Sequence, residues 1–153
     1  MEKYYSTRNT NDRVSFSTGV TRGLSPDGGL YVPESFTNID IYDEKYLKMS
    51  YQELAVDILS NFLDGYTKEE VTTFVSEAYG DNFETKDIVP VKTCDKVNFL
   101  ELFRGPTLAF KDMALQILPK FMVAAARKEG ITDEIVVLTA TSGDTGKAAL
   151  EGF

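Results

Sequence analysis

Two short segments hold the residue types that could do chemistry. The first is Phe103-Arg-Gly-Pro-Thr-Leu-Ala-Phe-Lys-Asp112, which leads from a strand end through a turn to Lys111 near a helix start. Apolar neighbours at Leu108 and Phe110 can partly desolvate this lysine, and desolvation favours a neutral amine over an ammonium. A neutral amine can attack an aldehyde and form an imine. The plain alternative is a surface lysine that lays its stem on apolar neighbours. The second segment is Thr139-Ala-Thr-Ser-Gly-Asp-Thr-Gly146, set between an apolar run and a helix start. Such a turn aims backbone N–H groups and small hydroxyls at the positive end of a helix dipole, a ready seat for a phosphate or a carboxylate. The same residues equally suit a tight turn in which Asp144 or Thr145 caps the helix.

The rest of the composition narrows the chemistry. The 153 residues include no His and one cysteine, Cys94. No Ser-His-Asp or Cys-His site and no imidazole switch can be built from this chain. One cysteine permits neither an intrachain disulfide nor a cysteine zinc cluster, so no metal site is expected, and the usage suits a reducing, cytoplasmic setting. Lys147 after the glycine turn raises a nucleotide-binding loop, but G-x-x-x-x-G-K-[ST] would need Gly at Thr141 and a hydroxyl at Ala148. Both positions fail. The net charge of −8 argues against a nucleic-acid or anionic-membrane partner. Residues 27–87 hold 14 acidic and 4 basic side chains, a net of −10, against 7 and 6 in residues 99–153. The acidic part reads as a solvated helical surface, and the near-neutral part is the better place for an anionic ligand. No 18-residue apolar run and no signal-peptide hydrophobic region is present.

These segments need elements to position them. Lys3 to Arg8 reads as a short strand, Asn9–Asp12 as a polar turn, Ser25-Pro-Asp-Gly-Gly29 as a tight turn, and Leu30–Val32 as an extended piece. Ser50-Tyr-Gln-Glu53 and Thr67-Lys-Glu-Glu70 are capping boxes that open two helices. Their apolar stripes are Tyr51, Leu54, Ala55, Ile58, Leu59 and Phe62, then Val71, Phe74, Val75 and Ala78, with Gly80 near the stop. Val89–Val91 and Asn98–Phe103 look like strands. Residues 110–128 read as a helix that Pro119 should kink or divide. Glu134–Thr139 resembles a strand buried on both faces of a parallel sheet, and a helix should open at about Thr145. The expectation is an α/β chain: an N-terminal α+β region (residues 1–88), then the start of a doubly wound, mainly parallel sheet domain (89–153). The pattern stops about two turns into the last helix, so a truncated domain is expected.

The two segments together resemble the motifs of threonine synthases, pyridoxal-phosphate enzymes of the tryptophan-synthase-like fold. The lysine segment is similar to their lysine motif, and Ser142–Gly146 to their substrate loop. Tyr5–Arg8, Val14-Ser-Phe16 and Gly23-Leu-Ser-Pro-Asp-Gly-Gly-Leu-Tyr-Val-Pro33 resemble the N-terminal signature. The lysine and glycine-turn pair alone would suit other enzymes of this fold, such as dehydratases and β-replacement enzymes, or a non-catalytic binding domain that keeps the motifs. The N-terminal signature is what points to threonine synthase.

The resemblance implies conversion of O-phospho-L-homoserine and water to L-threonine and phosphate. It implies that Lys111 carries pyridoxal phosphate as an imine and shuttles protons. Thr141, Ser142, Gly143, Asp144 and Thr145 would hold the substrate carboxylate. Asp144 would lie beside the cofactor's 3-oxygen, where related enzymes commonly place Asn. Arg104 stands where the family usually has His, which counts against a proton relay there but leaves a bidentate contact to phosphate. The resemblance places the cofactor-phosphate loop and the partner of the pyridine nitrogen downstream of these residues. It therefore implies that the 153-residue chain alone binds cofactor weakly and does not turn over. It sets no oligomeric state.

Overall fold

The computed structural model describes residues 3–40 and 42–153. Three short strands begin the chain: β1 (Tyr4–Ser6), β2 (Asn9–Val14) and β3 (Tyr31–Pro33), in the order β2-β1-β3 and all antiparallel. The segment expected as a polar turn, Asn9–Asp12, is thus strand, and the turn falls at Thr7–Arg8. Pairing of Tyr4 with Val14 and Tyr5 with Arg13 satisfies the backbone whatever side chains face water. Helix α1 (Phe16–Arg22) follows, with Ser15 accepting from the Thr18 N–H and Gly23 closing it at φ 71.

Both capping boxes form as expected. Ser50 and Glu53 open helix α2 (Tyr51–Leu59); Thr67 and Glu70 open α3 (Lys68–Ala78). Each cap contributes about 1 kcal/mol to its helix. On α3 the expected stripe is the buried face. On α2 the buried residue is Val56, because α3 packs beside that face, while Leu54 and Ile58 line an open apolar groove with Tyr51 and Tyr79. Ile88 ends this region buried at φ 59, a left-handed conformation that costs a β-branched residue about 1–2 kcal/mol. Burying its side chain returns about 1.5–3 kcal/mol, enough to hold it there.

Beyond residue 88, β4 (Val91–Cys94) and β5 (Val97–Leu100) form an exposed hairpin across Asp95-Lys96. Asp95 supplies the positive φ of the turn. The second strand therefore stops at Leu100 rather than reaching Phe103. The predicted 110–128 helix is divided: α4 (Asp112–Leu115) and α5 (Leu118–Lys128), with Pro119 in the first turn of α5 where its missing N–H costs nothing. The chain ends in α6 (Asp144–Gly152).

The mixed α/β class holds, but Glu134–Thr139 does not pair as a strand. Val136 and Leu138 are 77% and 93% exposed, and among the described residues both sheets are antiparallel. A strand exists only against a neighbouring edge, and no described residue offers one to this run.

One apolar core crosses residue 88. Ile117, with Met113 and Phe121 packed at its margin, shares a cluster with Val56, Val71, Val75 and Phe83. Helix α1 packs on α5, and Phe16 meets Tyr66 and Phe121 edge-on at 5.8 and 5.5 Å. Tyr79 adds a polar strut by donating to the Met113 carbonyl at 2.6 Å. Burial, then the neighbouring Tyr51, pushes the Tyr79 phenol above its ordinary range. Burial, then Asp64, raises Tyr4 from 10.0 to about 12.

A raised phenol pKa means that folding favours the neutral form, so this stabilisation is complete below pH 10 and disappears as pH rises through about 12. Melting temperature followed against pH should fall across that window. Tyr79→Phe should cost about 1 kcal/mol at neutral pH and flatten the alkaline limb; an unchanged limb would dissociate the strut from the alkaline loss.

Candidate active site

The lysine turn is anchored at both ends. At its start, Arg104 donates from Nε and Nη2 to Glu101 at 2.9 and 2.6 Å, and from Nη1 to Glu84 at 2.6 Å. Its carbonyl accepts from the Glu84 N–H at 2.9 Å. Hydrogen bonds first to Glu84 and then to Glu101 hold its guanidinium above the usual range. As placed, the arginine fork expected to meet a phosphate is bonded to two carboxylates, and the clip joins the 84 loop to the 101–104 segment.

At the other end stands Asp112, fully buried at 0% exposure. Its carboxylate accepts from the Thr107 N–H at 2.9 Å and the Thr107 hydroxyl at 2.6 Å. Gly105 lies against it so closely that a Cβ would fall 2.5–2.9 Å from Asp112 atoms, so this position requires glycine. Lys111 is half-buried at the cap of α4, with Nζ 4.2 Å from the centroid of the Phe110 ring. The apolar enclosure expected from its neighbours does not form: Leu108 and Phe110 are 63% and 59% exposed. Among the described residues no carboxylate forms an ion pair with Lys111, and the adjacent Asp112 is bonded inward to Thr107.

The glycine turn closes on itself. The Thr141 hydroxyl oxygen accepts from the N–H groups of Gly143 and Gly146 at 3.1 and 2.9 Å. Gly143 caps α6 at φ 142, and the helix begins at Asp144, one residue before the expected start. Thr141, Ser142, Gly143 and Asp144 are exposed and Thr145 is half-buried. The N–H groups of Asp144 and Thr145, in the first turn, have no carbonyl inside the helix to meet.

The two helices that the motifs open touch each other. Helices α4 and α6 pack on each other, and Gly152 meets α4 so closely that a Cβ would collide with the Leu115 carbonyl and lie 3.6 Å from Pro119. Lys111 and the Thr141–Gly143 turn therefore stand at the N-terminal ends of two mutually packed helices. An amine for a carbonyl and helix-start donors for an anion are the groups that an aldehyde-bearing, anionic small molecule needs. Arg104 belongs to the neighbouring clip.

Sequence reasoning missed Asp112, Thr107, Glu101 and Glu84. An Asp after a lysine at a helix start reads as an ordinary first-turn acid, and only Gly105 hinted at a close approach. Among the described residues, no three His, Cys, Asp or Glu side chains are grouped to hold a metal, Cys94 is an exposed thiol, and no helix is long and apolar enough to cross a membrane.

The family model described as threonine synthase N terminus matches residues 3–79. The threonine synthase of Methylobacillus glycogenes is 38% identical over 96% of this chain and 33% of its own length. That of Pseudomonas aeruginosa is 37% identical over 98% of this chain and 32% of its own. Among solved structures, a pyridoxal-phosphate-bound threonine synthase from Brucella melitensis superposes on the whole chain with a TM-score of 0.89 at 36% identity, across 33% of its own chain. The yeast threonine synthase gives 0.86 at 34% identity, with 97% of this chain and 32% of that one covered. This chain spans about a third of the length of the curated relatives it matches.

If the α4–α6 contact sets the geometry of the two motifs, Gly152→Ala should loosen α6 at a cost of about 1–3 kcal/mol. Hydrogen exchange should show faster α6 amides with α2 and α3 unchanged. Uniform protection in the variant would show that the close contact holds nothing.

Proposed function

We propose that this chain, which belongs to the threonine synthase N-terminal family, supplies the amine and the anion-binding turn of an enzyme that makes L-threonine and phosphate from O-phospho-L-homoserine and water. The observation that supports the reading is the contact between α4, which Lys111 heads, and α6, which the Thr141–Gly146 turn opens. Residues 1–88 form the N-terminal region and residues 89–153 begin the cofactor domain. This is a division of role rather than of core, because Ile117 packs with the N-terminal helices.

Pyridoxal phosphate, when bound, supplies an electron sink that no side chain here provides. The residues fit such a group: a half-buried lysine amine free of carboxylate partners among the described residues, and helix-start donors on the packed neighbour. Lys111 Nζ would hold the cofactor through its aldehyde and would move protons at the substrate's α- and β-carbons. The Asp144 and Thr145 N–H groups, with the Ser142 and Thr141 hydroxyls, receive the substrate carboxylate. Asp144 would lie beside the cofactor's ring oxygen. With Nε and Nη2 kept on Glu101, the Arg104 Nη1 can exchange Glu84 for an oxygen of the substrate phosphate. The 153 residues alone should not form threonine, since they span a third of the relatives' length.

In the whole protein that carries this segment, Lys111→Ala should lower threonine formation from O-phosphohomoserine by about 10²–10⁴-fold, the range of a lost proton-transfer group. Assay against serine and threonine separates a dehydratase. Unchanged activity in Lys111→Ala would assign the motifs to a non-catalytic binding role.

A further inference from the structure

We infer that Asp112, acting through Thr107, is the positioning residue that keeps Lys111 open to an aldehyde; this rests on the reading of Lys111 as the cofactor-bearing amine. A carboxylate buried beside a lysine ordinarily recovers its desolvation by pairing with that cation. Asp112 does otherwise. Both of its oxygens accept from one neutral residue, Thr107.

The two bonds close a ring of residues from Thr107 to Asp112, and Lys111 is the last residue inside it. Within the ring Leu108 holds φ 59 with its side chain in water. No packing holds that left-handed backbone in place, in contrast to the buried Ile88. Two turn bonds support it, Leu108 N–H to the Gly105 carbonyl and Asp112 N–H to the Ala109 carbonyl, both 3.0 Å. Strained backbone persists only where its surroundings over-determine it. The Thr107–Asp112 clamp and the approach of Gly105 to the carboxylate supply that constraint. Upstream, Arg104 is fixed by Glu101 and Glu84.

The consequence for Lys111 is twofold. Its backbone is fixed at the head of α4, so the direction of the amine is set by the turn rather than by its own partners. Its neighbouring carboxylate is held facing inward, so the amine rests on the Phe110 ring instead of in an ion pair. Breaking the clamp removes both effects together: the turn relaxes, and Asp112 becomes free to engage Lys111.

The test uses the whole protein stripped of cofactor with hydroxylamine. Pyridoxal 5'-phosphate is added, the amine condenses with its aldehyde with loss of water, and borohydride delivers hydride to fix the adduct. Peptide mapping then reads the labelling rate at Lys111 against Lys120 and Lys147 in the same sample. Thr107→Val, which keeps the shape and the N–H but removes the hydroxyl, should lower the melting temperature by several degrees and, in the folded protein, slow Lys111 labelling at least tenfold while the two reference lysines label as in wild type. Thr107→Ser should restore the rate to within twofold. Asp112→Asn, which keeps acceptor and shape, should label faster than Thr107→Val. Wild-type Lys111 labelling in Thr107→Val, or failure of Thr107→Ser to restore it, would overturn the positioning role and leave the functional reading standing. A wild-type protein that labels Lys111 no faster than Lys120 would overturn that reading and the positioning role with it.

Discussion

A helix of four residues cannot stabilise itself, because one turn fixes the backbone for a single internal hydrogen bond. Helix α4 is such a helix, and it carries Lys111 at its head. It stands only because the rest of the molecule holds it from three sides. Tyr79 bonds its Met113 carbonyl, Ile117 just beyond it enters the common core, and Gly152 admits α6 against its C-terminal end. The aromatic cluster around Phe16 and Phe121 fixes α5, and through it the joint at Ile117. The N-terminal region is therefore not an appendage: its packing is what gives the lysine a fixed position.

The acidic excess of residues 27–87 also has a more specific meaning than a solvated face. Glu53 and Glu70 close capping boxes. Asp27 accepts from the buried Ser6 hydroxyl and the Gly29 N–H, which shapes the Pro-Asp-Gly-Gly turn and holds its carboxyl below the ordinary range. Glu84 clips Arg104. These four carboxylates each satisfy backbone or side-chain donors.

Legibility followed the range of the interaction. The capping boxes, the division at Pro119 and the glycine turn rest on contacts within five residues, so residue identity is sufficient evidence. Asn9–Asp12 became strand because β1 lies beside it, and polar side chains carry no trace of that neighbour. Val56 replaced Leu54 and Ile58 as the buried residue of α2 because α3 chose the face. The site divides the same way. Lys111 and Thr141–Gly146 were marked by type and spacing, whereas Asp112 was not, since its burial depends on Gly105 and Thr107 folding back over it.

By itself the sequence determined the local elements and the two chemistry-bearing motifs, because caps, prolines, glycines and lysines act on their own backbone or carry their own reactivity. It also showed that none of these 153 residues is an imidazole. Tertiary structure alone decided that Arg104 faces two carboxylates and that Asp112 turns inward to Thr107. It alone packed the two helices that carry the motifs, through a contact between Gly152 and Leu115. Each of these depends on which surfaces meet after the chain folds back, and burial and pairing belong to that meeting rather than to any residue.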